Sequence, residues 1–283
     1  MTTTDTTLPS ASAGIRQKAL IAGLNATVLY VLAYLLTTTA YQLATIRMAR
    51  RLSIPLTWHL ERVEFRITNP EWWRVAVLAV YSVGPLVCFL LGTAALLVFW
   101  YRARQQRGLL KQFLLWLALH CCNMFFGAMV ADTFTQSGFW YIPSWLFLAG
   151  NVPNVIVAVV FGLIQVALGY FAAVLFLQSH DSISLMKYRN RAVLLVSTLL
   201  APWVLGSVIV ALLKWPALTL NEELHFATMV LLIGPLALAA ANQLFEFTLP
   251  VPQKTRIAWE LVGLLAAVLL LFRVVLGHGI SLG

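Results

Sequence analysis

The sequence predicts an all-α fold, a polytopic bundle of about seven transmembrane helices, and three observations support this. The chain is 61% hydrophobic and only 10% charged, whereas soluble domains are roughly half apolar and about a quarter charged. Its apolar runs are near or above ~20 residues, the length needed to cross a hydrocarbon core about 30 Å thick. Runs such as residues 86–99 are apolar on every face, which excludes the alternating pattern of barrel strands and leaves helices.

The hydropathy pattern also divides the chain. Residues 1–15 are rich in Thr, Ser and Ala and lack a packing pattern, so we expect a disordered tail followed by one transmembrane domain over 16–283. The first apolar stretch is far longer than the ~7–15 residues of a signal-peptide core, so the first span is expected to be retained. The predicted spans are at about 19–44, 75–100, 109–132, 153–177, 192–214, 225–246 and 257–277.

Basic residues predict the orientation. Three gaps between spans are basic: one contains Arg102, Arg104, Arg107 and Lys111, the next Lys187, Arg189 and Arg191, and the last Lys254 and Arg256. Two of the alternating gaps, 133–152 and 215–224, contain no Lys or Arg. Because positive loops stay inside, we expect a bacterial inner (plasma) membrane protein with a cytoplasmic N-terminus and an external C-terminus. This placement also explains the net charge of +9 without nucleic-acid binding.

One external gap departs from this rule. Residues 47–74 contain five arginines that are candidates for contact with lipid or a partner protein: Arg47, Arg50, Arg51, Arg62 and Arg66. Such a segment is expected to bind lipid head groups or another membrane protein, and we favour the protein slightly. Between Pro55 and Ile67 the apolar spacing fits an amphipathic helix on the membrane surface, the simpler interpretation, although alternation at Val63, Phe65 and Ile67 also fits a strand.

A second external element is predicted over residues 138–151. This stretch is too short to cross a membrane. Its aromatic residues, Trp140, Tyr141 and Trp145, are typical of the membrane–water interface. We therefore expect an interfacial or re-entrant helix there.

Polar residues inside spans are candidates for function. His120 and Asn123 are near the middle of span three, and Arg273 is near the outer end of span seven. The sequence after His120 lacks the Glu and second His of a zinc protease, and no second histidine is placed to share a haem. A functional site and a plain interhelical hydrogen bond both remain open for His120, and Arg273 is expected to snorkel or to pair with an acidic residue.

A further group of ionisable residues falls at the outer ends of the spans. Its members are Asp132, Glu222, Glu223, His225 and His278. Two imidazoles with carboxylates form a donor set that metals accept, but an interfacial network of ion pairs is the expected arrangement, so no metal is predicted.

No motif in the chain specifies a reaction. Neither a phosphate-binding glycine-rich loop nor a Gly-x-Ser-x-Gly elbow occurs, so no catalytic residue or cofactor is predicted, and bound lipids are expected. The first hypothesis is a non-catalytic subunit or scaffold of a membrane protein complex. The alternatives are a transporter or ion or proton pathway, and a membrane enzyme with an external His and carboxylate site.

Overall fold

A computed structural model describes residues 11–106, 108–148, 150–242 and 256–282. The first part of the predicted tail, Arg107 and Lys254 of the basic gaps, and the last residues of predicted span six lie outside these ranges.

Seven helices in the described residues are long and apolar enough to cross a membrane, which confirms the predicted helix bundle. They are Gly14–Arg51, Arg74–Ala103, Leu110–Thr135, Val152–Gln178, Tyr188–Lys214, Leu220–Ala240 and Trp259–Leu276. The protein is therefore a multi-pass membrane helix bundle.

The individual helices are shorter than the spans, because several spans contain a wide π-helical turn. The helices are α1 (Ala11–Arg51), α2 (Arg74–Val98), α3 (Leu110–Cys122), α4 (Ala128–Thr135), α5 (Tyr141–Phe147), α6 (Val152–Gln178), α7 (Ile183–Met186), α8 (Arg191–Leu195), α9 (Ala201–Lys214), α10 (Leu220–Thr228), α11 (Val230–Ala240) and α12 (Trp259–Leu276). The π turns are Phe99–Ala103 at the end of α2, Asn123–Gly127 between α3 and α4, and Val196–Leu200 between α8 and α9.

The bundle has two ends. We call the end at which α1 begins the near side and the opposite end the far side. On the near side, Lys18 at the start of α1 donates a hydrogen bond to Ser184, in the segment that follows α6. On the far side, Trp58 donates to Gln42, close to the end of α1.

Helices α1 and α3 form the centre of the bundle, and α12 lies at its edge. In the most apolar stretch of each span, 78% of the residues are buried in the α3 span but only 11% in the α12 span. A largely apolar helix with so little protein around it is stable only where lipid or another protein surrounds it, because water would solvate its apolar surface poorly.

The far side has a small sheet where an amphipathic helix was the simpler prediction. Strands β1 (Leu56–Trp58), β2 (Val63–Phe65) and β3 (Ile280–Leu282) pair antiparallel in the order β2-β1-β3. The helical interpretation of 55–67 is wrong, and the alternating pattern is the informative one. A strand forms here rather than a helix because β1 pairs on its second edge with β3, a partner more than 200 residues away in sequence.

This sheet packs onto the end of α1 and the start of α2. Leu56 is fully buried there beside Ile46, Ala49, Ala76 and Val80. We call residues 47–67 together with β3 the far-side cap.

Several boundaries differ from the prediction. Helix α1 extends from Ala11 to Arg51, so the C-terminal part of the predicted tail is helical and the first span ends beyond residue 44. The span of α10 begins at Leu220 rather than near residue 225, because Thr219 and Glu222 form a capping box that starts the helix earlier. The short element predicted over residues 138–151 is present as the turn Gly138–Trp140 followed by α5, and its interfacial or re-entrant position stays a prediction.

Candidate functional site

The far-side cap contains five exposed arginines. They are Arg47, Arg50, Arg51, Arg62 and Arg66. In the part of the chain that the structure describes, none of them forms an ion pair. Two neighbouring carboxylates have other partners. Glu64 lies 3.5 Å from His59. Glu71 accepts hydrogen bonds from the main-chain and side-chain groups of Thr68, which lower the pKa of its carboxyl.

Asp132 is the centre of a compact polar cluster on the far side. Its buried carboxylate accepts hydrogen bonds from the main-chain N–H of Phe139 at 2.6 Å, from Asn221 Nδ2 at 2.7 Å and from His225 Nε2 at 3.0 Å. Gly138 permits this approach, since it has a φ of +56° and a Cβ there would lie 2.5 Å from the Asp132 carboxylate. The same Asn221 amide also reaches two hydroxyls, those of Thr135 and Ser137. We call these residues the Asp132 cluster.

The five residues considered as metal ligands are separated in the structure. Only Asp132 and His225 meet, whereas Glu222 pairs with Lys214, and Glu223 and His278 are exposed. Among the described residues, no three His, Cys, Asp or Glu side chains group together in a way that suits a metal ion.

Arg273 has a different partner from the acidic residue expected. Its guanidinium donates to two main-chain carbonyls at the end of α9, those of Leu213 and Trp215, at 3.0 Å each. A helix end leaves such carbonyls without intrahelical donors, so Arg273 joins α12 to α9.

Lys214 and Glu222 form a charged pair on the far side of the bundle. The Nζ atom of Lys214 contacts Glu222 Oε1 and also donates to the Tyr34 hydroxyl at 3.0 Å. Only 3% of the Lys214 side chain and 14% of the Glu222 side chain are exposed. Tyr34 in turn places its ring 5.5 Å from the ring of His120, so polar groups continue from this pair into the bundle.

His120 lies buried between α3 and α1. Its Nε2 donates to the main-chain oxygen of Tyr30 at 3.2 Å, and its ring packs edge-on against the Tyr30 ring with centroids 4.4 Å apart. These contacts are those of an interhelical hydrogen bond, which is one of the two hypotheses for His120, and the other, a functional site, stays untested.

Asn123 ties three helices together at the π turn. Its Nδ2 donates to the main-chain oxygen of His225 at 2.8 Å, and its Oδ1 accepts from Gln165 at 2.7 Å and from Thr228 at 3.2 Å. Gly127 leaves room for these bonds, because a Cβ there would lie closer to the Asn123 Oδ1 atom than van der Waals contact allows. We call Asn123, Gln165 and Thr228 the Asn123 cluster.

A cavity of about 540 Å³ opens on the near side, between the start of α3, the end of α6 and the start of α12. We call it the near-side cavity. The polar residues around it are Asn25, Gln112, Ser179, His180, Asp181, Ser182, Arg256 and Glu260. This cavity is not predicted from the sequence, because its lining comes from four segments that are far apart in the chain.

Two neighbouring ionisable residues, His180 and Asp181, hold the wall of the near-side cavity in place. Asp181 accepts from Lys111 Nζ at 2.5 Å and from the main-chain N–H of Gly108 at 2.8 Å. The adjacent His180 donates from Nδ1 to the main-chain oxygen of Phe176 at 2.8 Å, and its Nε2 lies 2.9 Å from the Thr198 hydroxyl. Burial lowers the pKa of His180 to about 4, so this imidazole is neutral at pH 7.

Gln112 differs from its polar neighbours. It is only 5% exposed and lines the near-side cavity, yet its amide has no hydrogen bond to any residue within the described ranges. The only sequence signal for this site was the ionisable pair His180-Asp181 directly after an apolar span.

Comparison of the chain with protein-family models, with curated proteins and with solved structures gave no match.

Proposed function

We propose that this protein is a non-catalytic subunit or scaffold of a membrane protein complex and that its far-side cap binds an acidic face of a partner protein. The observation that carries the proposal is the set of exposed cap arginines without ion pairs. A charged side chain gains little from an exposed intramolecular pair, but a fixed array of like charges attracts a complementary surface.

The shape of the cap favours a protein over a lipid surface. Arg47, Arg50 and Arg51 are on the last turns of α1, whereas Arg62 is in the turn that joins β1 to β2. Helix α1 has 41 residues and is therefore about 60 Å long, which exceeds the ~40–45 Å of a bilayer with its head groups. The charges are thus distributed over several elements of a folded unit rather than along one amphipathic helix.

The orientation belongs to the same proposal. The near-side residues Arg102, Lys187, Arg189 and Arg256 are exposed, and the positive-inside rule places them in the cytoplasm of a bacterial cell and the cap outside. Labelling with a membrane-impermeant thiol reagent in intact cells tests this. Ser281→Cys in β3 should be labelled and Gln105→Cys on the near side should not, and the reverse pattern would invert the orientation.

The partner proposal is tested by removing charge from the cap while keeping its size. Arg47, Arg50 and Arg51 are replaced together by Gln, and a matched variant carries Lys at all three positions. Both are expected to keep their orientation, because Lys leaves the number of external positive charges unchanged and Gln removes charges that oppose the topology. The protein is extracted in mild detergent from its native membrane, and the stoichiometry of co-purifying proteins is measured.

We expect wild type and the Lys variant to retain a partner in fixed ratio, and the Gln variant to retain at least about tenfold less of it, since ~1.4 kcal/mol is lost per tenfold change in affinity. A wild-type protein that purifies alone, or a Gln variant that keeps its partner, would contradict the proposal.

A proton or ion pathway is the second candidate, and the Lys214–Glu222 pair favours it. Charged groups within a span mark ion pathways, and Tyr34 connects this pair with His120. Proton flux into vesicles containing the purified protein is the measurement. His120→Ala should abolish it, and flux equal to that of wild type would remove His120 from the pathway.

A further inference from the structure

The near-side cavity is held in shape by contacts that join distant segments. Asn25 on α1 donates from Nδ2 to the main-chain oxygen of Arg256 at 2.8 Å and accepts from the main-chain N–H of Ala258 at 3.1 Å. These two bonds fix the segment that leads into α12. On the opposite wall, Asp181 fixes the start of α3 through Gly108 and Lys111.

Gln112 presents its amide to the cavity. The residue is only 5% exposed and lines the cavity, and its amide has no hydrogen bond to any described residue. The amide atoms are accessible from the cavity, since they are not among the fully buried side-chain atoms that lack a partner. A ligand with hydrogen-bonding oxygens can therefore bind this amide in place of water.

The charges around the cavity balance in a specific way. Lys111 and Asp181 neutralise each other, and His180 is uncharged at neutral pH because burial lowers its pKa to about 4. Among the described lining residues, Arg256 and Glu260 remain, and both are exposed. This pair of opposite charges complements a zwitterion rather than a simple anion or cation.

The position of the cavity indicates where the zwitterion comes from. Its walls include the apolar residues Ala22, Leu109, Leu185 and Leu261, and it lies where three membrane helices end. The exposed Trp259 lines it as well, and tryptophan is enriched at the head-group level of membranes. Its volume falls in the range of ~300–1,000 Å³ typical of small-molecule sites.

We propose that the near-side cavity binds the phosphoethanolamine head group of a zwitterionic membrane lipid. Arg256 contacts the phosphate, Glu260 accepts hydrogen bonds from the ammonium, and the Gln112 amide hydrogen-bonds to the ester oxygens. The site is at the opposite end of the bundle from the far-side cap, so it does not depend on the proposed partner.

Native mass spectrometry of the delipidated, detergent-solubilised protein tests the site with three probes: short-chain phosphatidylethanolamine, short-chain phosphatidylglycerol, and free phosphoethanolamine. Wild type is expected to bind one molecule of phosphatidylethanolamine at least about tenfold more tightly than either other probe. Stronger binding of phosphatidylglycerol would overturn the zwitterion assignment, and stronger binding of free phosphoethanolamine would overturn the lipid as its source.

Two variants connect the binding to the cavity. Gln112→Leu should weaken phosphatidylethanolamine binding about tenfold, whereas Gln106→Leu, at an exposed near-side position outside the cavity, should leave it unchanged. Glu260→Gln, also at an exposed position, should remove the preference for phosphatidylethanolamine over phosphatidylglycerol. Wild-type binding in both cavity variants would overturn the site even if one of them folded poorly.

Discussion

Two polar side chains, one at each end of the bundle, differ in their partners. On the far side, the buried Asp132 carboxylate accepts three hydrogen bonds. On the near side, Gln112 has no hydrogen bond within the described residues and lines a cavity of about 540 Å³.

This difference distinguishes polar groups that hold helices together from polar groups that can bind a ligand. A polar cluster whose members hydrogen-bond to one another stabilises the packing of helices and has little capacity to bind anything else. We call such a cluster a joint. A polar group that lines a cavity without a protein partner retains its capacity to bind a ligand. By this criterion Asn123 and Asp132 are joints, His120 has the contacts of one, and the near-side cavity has the features of the lipid site that we propose.

Breaking the far-side ion pair is expected to have the largest effect. Lys214→Met leaves the largely buried Glu222 carboxylate without its cation, which typically costs about 3–5 kcal/mol. Equilibrium unfolding in mixed detergents measures the loss.

The matched control is the double variant Lys214→Met with Glu222→Met. It should recover most of the stability, because it removes both charges together. If the double variant is as unstable as the sum of the two single variants, the pair contributes no coupling and the far side is not a mutually satisfied network.

Acidification should weaken the near side through His180. An unfolded histidine takes up its proton near pH 6.5, whereas the folded protein does so only near pH 4. The unfolded state therefore holds more protons between these values, and stability falls as the pH falls from about 6.5 to 4. The full effect is on the order of 3 kcal/mol, at about 1.4 kcal/mol per pKa unit.

Other carboxylates and histidines titrate in the same window, so the comparison is made with His180→Gln, which still donates to the Phe176 carbonyl. The difference between wild type and variant should shrink toward acid pH. A constant difference from pH 7 to pH 4 would show that His180 is not held neutral by the fold.

Removing the amide of Asn123 should cost about 1–2 kcal/mol. Asn123→Leu leaves the Gln165 amide and the main-chain oxygen of His225 with fewer partners in the bundle interior, and interhelical hydrogen bonds of this kind contribute about 0.6 kcal/mol each on average. The unfolding free energy in detergent is the readout, and an unchanged value would place Asn123 outside the joints.

The same chemical change at Gln112 should have the smallest effect. Gln112→Leu removes an amide that has no partner in the described structure, so the unfolding free energy of the lipid-free protein should change by less than about 1 kcal/mol or should rise. A loss as large as that of Asn123→Leu would mean that Gln112 is a joint as well, and the contrast between the two ends would disappear.

The sequence alone determined the helical bundle and its number of spans. Length and apolarity suffice for this because lipid satisfies no backbone group, so each long apolar run has to form a helix whatever surrounds it. The same reasoning located the short element at residues 138–151, found as the turn Gly138–Trp140 and α5.

Tertiary structure decided everything that depends on partners far apart in the chain. The pattern of residues 55–67 suited a helix and a strand alike, and β3 resolved it in favour of the strand by pairing with Leu56 to Trp58. Likewise Asp132 pairs with His225, and Lys111 pairs with Asp181. Span positions follow from local hydrophobicity, but a hydrogen-bond partner follows from which helix faces meet, and a single sequence does not contain that information in its local pattern.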